Sequence, residues 1–237
     1  MVITFNNRGH DVITGVKKLD KRKQKGYERE WAGMAFENFT ECADDIQGAV
    51  SLAESLGAKE IILAGHSTGC QKSIYYLSRP GKQKLIKGVI LLCPMSDYAA
   101  MIKQVPPEIL KKNLQVARKM VKNGDGNKLI PSSLDAGYIT AQRYISLYTA
   151  DSVEEIFTYI DPKKLPHLFQ KVKIPMHIVI AEKDEYLYYN ATKTAKWFSV
   201  NTRSNAARVE IIANATHSFQ EGSTDVIKKI KNWLNKF

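Results

Sequence analysis

The chain has 237 residues, of which 44% are hydrophobic, which is enough to build the core of one globular domain. No apolar run approaches the roughly 20 residues that cross a bilayer, and the first residues lack the basic and apolar regions of a signal peptide. The three cysteines (Cys42, Cys70 and Cys93) have no metal-ligand spacing. They predict free thiols and a cytoplasmic location.

The formal net charge is +11, and the densest basic cluster is the segment KKLDKRKQK at residues 17–25. Such a cluster can attract phosphate, nucleic acid or an anionic membrane. A solvated lysine-rich loop is the favoured interpretation, because no nucleic-acid-binding motif accompanies the charge. We therefore expect no specific nucleic-acid partner and no membrane span.

Apolar periodicity divides the first part of the chain into alternating strands and helices. The predicted elements are a strand from Val2 to Phe5, a long loop over 11–35, a helix from Glu37 to Leu56, a strand from Glu60 to Ala64, a helix from Cys70 to Leu77 and a strand from Val89 to Cys93. The continuous apolar runs are typical of strands that are covered on both faces.

From residue 96 to residue 174 no strand pattern is found, which predicts a helical lid inserted into a core formed by 1–95 and 175–237. Its candidate helices are Pro107 to Lys122, Ile139 to Thr149 and Ser152 to Ile160. The later core elements are a strand from Met176 to Ala181, a helix from Tyr189 to Phe198, a strand from Val209 to Ala213 and a helix from Thr224 to Phe237. This alternation predicts an α/β fold with a doubly wound, mostly parallel sheet.

The segment Gly65-His66-Ser67-Thr68-Gly69 lies directly between a predicted strand and a predicted helix. In the Gly-x-Ser-x-Gly pattern the small flanking residues permit a tight turn that lifts the serine hydroxyl clear of the sheet. The turn also places Ser67 at a helix N-terminus, where developing negative charge is stabilised. The alternative is an ordinary glycine-rich connection between a strand and a helix.

A serine hydroxyl becomes a useful nucleophile when a base takes its proton, and the base needs an orienting carboxylate. Asp184 and His217 follow the last two predicted strands, so both should emerge at the carboxyl edge of the sheet, where open α/β sheets place their sites. We predict Asp184 as the acid and His217 as the base. The competing residues are Glu182, Glu185 and Asp97 for the acid, and His10, His66, His167 and His177 for the base.

The chain resembles the α/β-hydrolase superfamily, in particular a serine esterase-like branch. The resemblance is carried by Phe5-Asn6-Asn7-Arg8-Gly9-His10, by the Ser67 segment, by Ala181-Glu182-Lys183-Asp184 and by Ala215-Thr216-His217-Ser218-Phe219. It implies hydrolysis of a carboxylic ester, or a related acyl transfer, through an acyl-enzyme on Ser67, with the backbone N–H of Thr68 as one oxyanion donor. It implies no metal and no organic cofactor, and a small-molecule acyl substrate. Thioesterase, amidase and acyltransferase activity would use the same residues.

One departure from the superfamily is also visible in the sequence. The Arg8-Gly9-His10 segment normally follows the fourth strand of the fold, so we expect three strands and a helix to be missing before Met1. A loop that gives the second oxyanion N–H would be missing with them, and losing one donor costs about 100- to 1000-fold in rate. The alternative is that Val2 to Phe5 acts as the third strand, with a donor from 6–9. A catalytically impaired or vestigial hydrolase is therefore the second hypothesis.

The predicted lid is rich in aromatic residues, which either line an acyl pocket or pack the lid helices onto the core. These residues are Tyr98, Tyr138, Tyr144, Tyr148, Phe157 and Tyr159.

Overall fold

The computed structural model describes residues 1–81 and 84–235. Its strands are β1 (Thr14–Leu19), β2 (Tyr27–Ala32), β3 (Ile61–His66), β4 (Ile86–Leu92), β5 (Met176–Ala181) and β6 (Ala207–Ile212). Its helices are α1 (Cys42–Ser55), α2 (Thr68–Ser78), α3 (Asp97–Gln104), α4 (Pro107–Lys122), α5 (Ala141–Tyr148), α6 (His167–Lys171), α7 (Ala191–Asn201) and α8 (Ser223–Leu234), with short 3-10 turns at Phe39–Glu41 and Ser132–Leu134.

Four parallel strands form the central sheet in the order β3-β4-β5-β6. All six residues of β5 are buried, as expected for an apolar strand with helices on both faces. Because the strands are parallel, their carboxyl ends meet at one edge, where the predicted site residues follow them. The predicted α/β class and parallel sheet are confirmed.

Helices cover the two faces of the sheet and create two hydrophobic clusters. The larger contains residues of α1, α2 and α7 packed on the sheet, with Ile74, Leu91 and Phe198 fully buried at its centre. The smaller lies under α8 and includes Val226 of that helix and Val179 of β5. Within the described ranges, no helix is both long and apolar enough to cross a bilayer.

The segment between β4 and β5 contains α3 to α6, and α4 and α5 surround a further cluster that includes Leu110 and Tyr144. Buried charges connect it to the rest of the molecule: Arg143 of α5 binds Glu37 at 2.9 Å, and it also binds Glu154 within the segment. Glu37 also binds Lys72 of α2, at 2.5 Å. This segment is therefore joined by ion pairs as well as by apolar packing to α2, which we call the elbow helix because it follows the sharp turn, or elbow, at Ser67.

Two predictions for the first 35 residues are wrong. Val2 to Phe5 is not a strand: Val2 is 89% exposed, and no strand of the described sheet pairs with this segment. An extended segment without a neighbour leaves its backbone groups to water, so its apolar pattern alone does not make a strand. The segment is therefore neither the fourth strand of the superfamily fold, before Arg8-Gly9-His10, nor its third strand.

The predicted loop over 11–35 contains the antiparallel hairpin of β1 and β2 instead. Its strands are mostly polar, so apolar periodicity misses them. Cross-strand pairs such as Lys18–Glu30, at 2.9 Å, connect them.

The predicted helix from Ser152 to Ile160 is also wrong, because this segment consists of turns and extended chain. Residues 154–159 are all buried, which one face of a surface helix cannot achieve. Sequence periodicity also missed the short helices α3 and α6. Pro107–Lys122 and Met176–Ala181 have the predicted bounds, and the last helix ends at Leu234, while residues 236–237 lie outside the described residues.

The aromatic residues between β4 and β5 mainly serve packing. Tyr144, Phe157 and Tyr159 are buried, whereas Tyr138 is 71% exposed. The hydroxyl of Tyr159 also accepts a hydrogen bond from the backbone N–H of Ser96, at 3.0 Å.

Candidate active site

Ser67 occupies the turn between β3 and α2, with backbone angles of φ 55° and ψ −126°. This conformation is unfavourable for a residue with a side chain and stores about 1–3 kcal/mol of strain. The turn is held by the backbone N–H of Ser67, which donates to Leu92 O at 2.9 Å, and by Cys70 N–H, which donates to Ser67 O at 2.9 Å. Ser67 therefore sits directly before the N-terminus of a helix, on a sharp and fixed turn.

The two glycines of the motif have different roles. A Cβ atom on Gly65 would overlap the carbonyl group of Gly69 and lie 2.8 Å from Ser73 Oγ, so α2 begins too close to β3 for any side chain there. A Cβ atom on Gly69 meets nothing within 4 Å. The tight approach of strand and helix thus depends on Gly65.

Asp184 and His217 form a buried pair at the carboxyl edge of the sheet. His217 Nδ1 lies 2.8 Å from Asp184 Oδ2, and the two residues are 8% and 6% exposed. The other carboxylate oxygen, Asp184 Oδ1, accepts the backbone N–H of Tyr186 at 3.0 Å. Both oxygens of Asp184 are therefore engaged, which fixes the direction of the carboxylate.

This pairing determines the chemistry of the imidazole. Since a carboxylate accepts hydrogen bonds, Nδ1 of His217 carries the hydrogen and Nε2 of the neutral ring carries the lone pair. Asp184 also stabilises the ring when it becomes positively charged. The arrangement can take a proton at Nε2 and hold it.

Three further residues hold His217. The Nε2–H of His66 donates to the backbone carbonyl of His217 at 2.9 Å, and the carboxylate of Glu185 accepts the backbone N–H of His217 at 3.0 Å. The ring of Tyr186 meets the His217 ring edge-on, with centroids 4.7 Å apart. The bond from His66 connects the Ser67 turn directly to the loop of His217.

The hydroxyl of Ser67 lies 3.7 Å from Met95 Sδ, in the segment after β4. Within the described chain, no direct hydrogen bond joins Ser67 Oγ to His217. The rings of His66 and His217 are 5.0 Å apart, so the loop of His217 lies beside the serine turn. Hydrogen bonds to a nucleophile are often long in structures without substrate.

The other candidate acids and bases have different surroundings. Asp97 accepts a hydrogen bond from Gln71 Nε2 at 2.7 Å, and Glu182 accepts the backbone N–H of Asn214 at 2.7 Å. His177 lies inside β5 and bonds Glu210 at 2.8 Å. Exposed His10 and His167 have no described contact with Ser67.

A buried charge network surrounds the elbow helix. Beside the pairs formed by Arg143 and Lys72, it includes Asp97 and Glu155, whose Oε2 accepts a hydrogen bond from Ser96 at 2.6 Å. Burial is the main cause that raises the pKa of Asp97 and of Glu155, each to about 7. The negative charge of nearby Glu154 raises both further.

Cys93, Asp184 and His217 place one potential ligand atom each within 4.8 Å of one another. To bind a metal ion, Cys93 would have to lose its proton and become a thiolate. Burial and the negative charge of Asp184 oppose this, because they raise the pKa of Cys93 well above its ordinary value. The direct bond between Asp184 and His217 also uses the atoms that would hold an ion. This donor set favours an acid–base pair over a metal centre.

Unusual backbone conformations concentrate around this edge of the sheet. Of the six non-glycine residues with positive φ in the described chain, Ser67, Cys93, Asn214 and Phe219 lie in the turns after β3, β4 and β6 or beside His217. Strained residues of this kind cluster at functional sites, where the surrounding structure enforces them.

Sequence reasoning missed the contacts of His66, Glu185, Tyr186 and Met95. Their only signal is position: His66 precedes the serine, and Glu185 and Tyr186 follow the acid directly. Met95 follows β4, which neighbours β3 in the sheet.

Comparisons with known proteins agree with this fold. A family model described as "Protein of unknown function (DUF1749)" matches residues 31–235. No curated protein matches the chain in sequence. The solved structures with similar folds include a carboxyl esterase from Bacillus coagulans with bound glycerol, at 14% identity and a TM-score of 0.54, covering 84% of this chain and 72% of that chain.

Two further solved structures show the same likeness. A monoacylglycerol lipase from Paleococcus ferrophilus is 19% identical, with a TM-score of 0.51, covering 88% of this chain and 82% of that chain. The protein DcsB, solved with a substrate analogue, is 16% identical with a TM-score of 0.59, covering 89% of this chain and 79% of that chain. At these identities the likeness concerns the fold. The chain therefore belongs to the DUF1749 family and has the α/β-hydrolase fold.

Proposed function

We propose that this protein is a serine hydrolase that cleaves a carboxylic ester, or a related acyl substrate, through an acyl-enzyme on Ser67. The proposal rests on one observation above all. The strained turn of Ser67 is joined, through the bond from His66, to a histidine whose Nδ1 is held 2.8 Å from a buried carboxylate. A turn of purely structural use would not need this combination.

In the first step Nε2 of His217 takes the proton of Ser67 Oγ as the oxygen attacks the acyl carbon. The backbone N–H of Thr68, at the N-terminus of α2, donates to the oxygen that becomes negative, and the helix dipole adds to this stabilisation. His217 then gives its proton to the departing alcohol. In the second step it activates a water molecule that releases the acid, while Asp184 stabilises the charged imidazole throughout.

We also propose that residues 96–174 act as a lid over the site and select a small-molecule acyl substrate. The support is that α3 begins at Asp97, two residues after Met95, whose sulfur contacts Ser67 Oγ. The same residues could serve a thioesterase or an acyltransferase. A cytoplasmic location remains part of the proposal, because Cys42, Cys70 and Cys93 are free and buried.

The second candidate function is a catalytically impaired or vestigial hydrolase-fold protein. It is favoured by the contact of Ser67 Oγ with Met95 instead of His217, and by the single oxyanion donor, Thr68 N–H, that the elbow provides. Such a protein would keep the acid–base pair but would turn over its substrate slowly.

A fluorophosphonate probe separates the two functions. The proposal predicts rapid labelling of Ser67, located by peptide mapping, that is lost in Ser67→Ala and in His217→Ala. The matched controls are Ser199→Ala, an exposed serine on α7, and His10→Ala, an exposed histidine, which should label as the unmodified protein does. A folded protein that does not label would contradict the proposal and favour the impaired protein.

Turnover assays with different acyl substrates identify the substrate class. Short and medium p-nitrophenyl esters are compared with the corresponding thioesters, and each is also assayed with an added alcohol acceptor. Faster turnover of the thioester would identify a thioesterase, and a new ester formed with the alcohol would identify an acyltransferase.

A further inference from the structure

The β1–β2 hairpin presents two faces of different character. The pairs Gly15↔Trp31, Lys17↔Arg29 and Leu19↔Tyr27 point to one face of the hairpin, because side chains alternate along a strand. We call these residues the outer face, since all of them except Tyr27 are exposed. The opposite face, which contains Glu28 and Glu30, is more buried.

The outer face combines large apolar groups with positive charge. Leu19 is 86% exposed and Trp31 is 70% exposed, although both would normally seek burial. Lys17 and Arg29 lie between them along the hairpin, and Lys17 Nζ is 4.8 Å from the centre of the Tyr27 ring. The structure describes every residue of this face, and none of them is acidic.

The acidic residues of the hairpin are turned away from the outer face and are neutralised there. Glu30 pairs with Lys18 at 2.9 Å, and Glu28 pairs with Lys23 at 2.7 Å. The connecting turn, residues 20–26, adds further exposed cations. The positive charge of the outer face is therefore not cancelled by its own strands.

The dimensions of the outer face suit a flat surface. Leu19 and Trp31 lie in pairs four residues apart along the strands, so about 13 Å separates them along the hairpin. The Trp31 ring is also held in place, because it stacks on Phe36 at 6.4 Å. Two apolar groups with cations between them can thus reach one plane at the same time.

We propose that the outer face docks onto the surface of an anionic lipid bilayer. In such docking Leu19 and Trp31 enter the interfacial layer, where indole and aliphatic groups are favoured. Lys17 and Arg29 meet the lipid headgroups, which attract each nearby cation by about 1 kcal/mol. A nucleic acid could stack a base on the Trp31 ring, but exposed Leu19 offers no such ring, whereas the interfacial layer of a bilayer favours both groups.

The base of the hairpin contacts the segment proposed as the lid. Directly after β2, the carbonyl oxygen of Met34 accepts a hydrogen bond from Arg143 of α5 at 3.2 Å, and Ala35 O accepts the backbone N–H of Thr140 at 3.0 Å. The outer face is therefore connected to the segment proposed as the lid. The docking itself does not depend on the proposed hydrolase activity.

The test is sedimentation of the full chain with vesicles of phosphatidylcholine alone, or with vesicles that also contain about 30% phosphatidylserine, an anionic lipid of the cytoplasmic leaflet. We expect binding to the anionic vesicles only. Lys17→Gln should weaken it about five-fold, whereas Lys18→Gln, the same charge change on the opposite face, should leave it nearly unchanged. Leu19→Ser should weaken it, whereas Val200→Ser, at a 63% exposed position on α7, should not.

Fluorescence gives a second readout. Trp31 is the most exposed of the three tryptophans, so its emission should shift to the blue on binding. Binding that Lys17→Gln and Lys18→Gln reduce equally, and that Leu19→Ser leaves intact, would overturn the proposal in favour of diffuse charge attraction. Absence of vesicle binding would also overturn the proposal. If, in addition, the protein were retained on immobilised RNA and Lys17→Gln abolished that retention, the outer face would be a nucleic-acid site instead.

Discussion

The close approach of β3 and α2 makes Gly65→Ala the most informative single substitution in the elbow. The added methyl carbon would lie 2.5 Å from the carbonyl carbon of Gly69, about 1 Å closer than the ~3.5 Å at which carbon atoms normally touch. The obstacle is backbone, which cannot rotate away as a side chain would. The start of α2 must therefore move by about 1 Å relative to the sheet.

The expected effects follow from this displacement. Overpacking of this kind costs about 1–3 kcal/mol, and in a domain of this size each kcal/mol lowers Tm by about 2–4 °C. Ser67 lies inside the displaced turn, and a 1 Å misplacement at a reacting group costs about 100-fold in rate. Gly65→Ala should therefore label with fluorophosphonate about 100-fold more slowly and melt at a lower temperature.

Gly69→Ala is the matched control, because a methyl group there meets no atom within 4 Å. Alanine is also favoured over glycine in a helix by about 1 kcal/mol, so this variant should melt at the same or a higher temperature and label normally. If Gly65→Ala kept the labelling rate and Tm of the unmodified protein, the argument from close packing would be refuted.

Three further predictions concern the surroundings of the site. His66→Phe removes the donor to the His217 carbonyl and should slow fluorophosphonate labelling about 10-fold or more. His66→Gln keeps an N–H donor and should retain most of the labelling rate at every pH tested. Burial raises the pKa of Asp97 from 3.8 to about 7, so the native state holds a proton that the unfolded chain releases, and stability falls as pH rises through that range. Asp97→Asn should therefore reduce the loss of urea stability between pH ~5 and ~8. Arg143→Met leaves buried Glu154 without its cation and removes one of the two cations that bind Glu37, the other being Lys72. It should cost about 3–5 kcal/mol in urea unfolding, whereas Arg118→Met, at an exposed position on α4, should cost little.

Much of the fold could be predicted because its signals are local. β5 is a continuous apolar run, and α4 begins at a proline that suits the first turn of a helix, so both have the predicted bounds. The predictions failed where contacts with residues elsewhere in the chain determine the local structure. Val2 to Phe5 has the pattern of a strand but no neighbour, and the polar strands β1 and β2 are connected by cross-strand pairs that no local pattern shows.

The candidate site was predictable to a similar depth. Chain order and strand ends identified Asp184 and His217, which the structure holds 2.8 Å apart, and their catalytic role remains a prediction. The residues that orient His217 could not be found in this way. His66 reaches the His217 carbonyl across 151 positions of sequence, a contact that depends on how two loops meet.

The backbone angles of Ser67 have a consequence for how this sequence can change. Glycine adopts a φ of 55° freely, so Ser67→Gly would relieve strain of about 1–3 kcal/mol against a chain-entropy cost of about 0.5–1 kcal/mol. The fold alone would then be more stable with glycine at this position. Stability and the hydroxyl group thus oppose each other at one residue, and drift in a protein that had lost its chemistry would favour the loss of this serine.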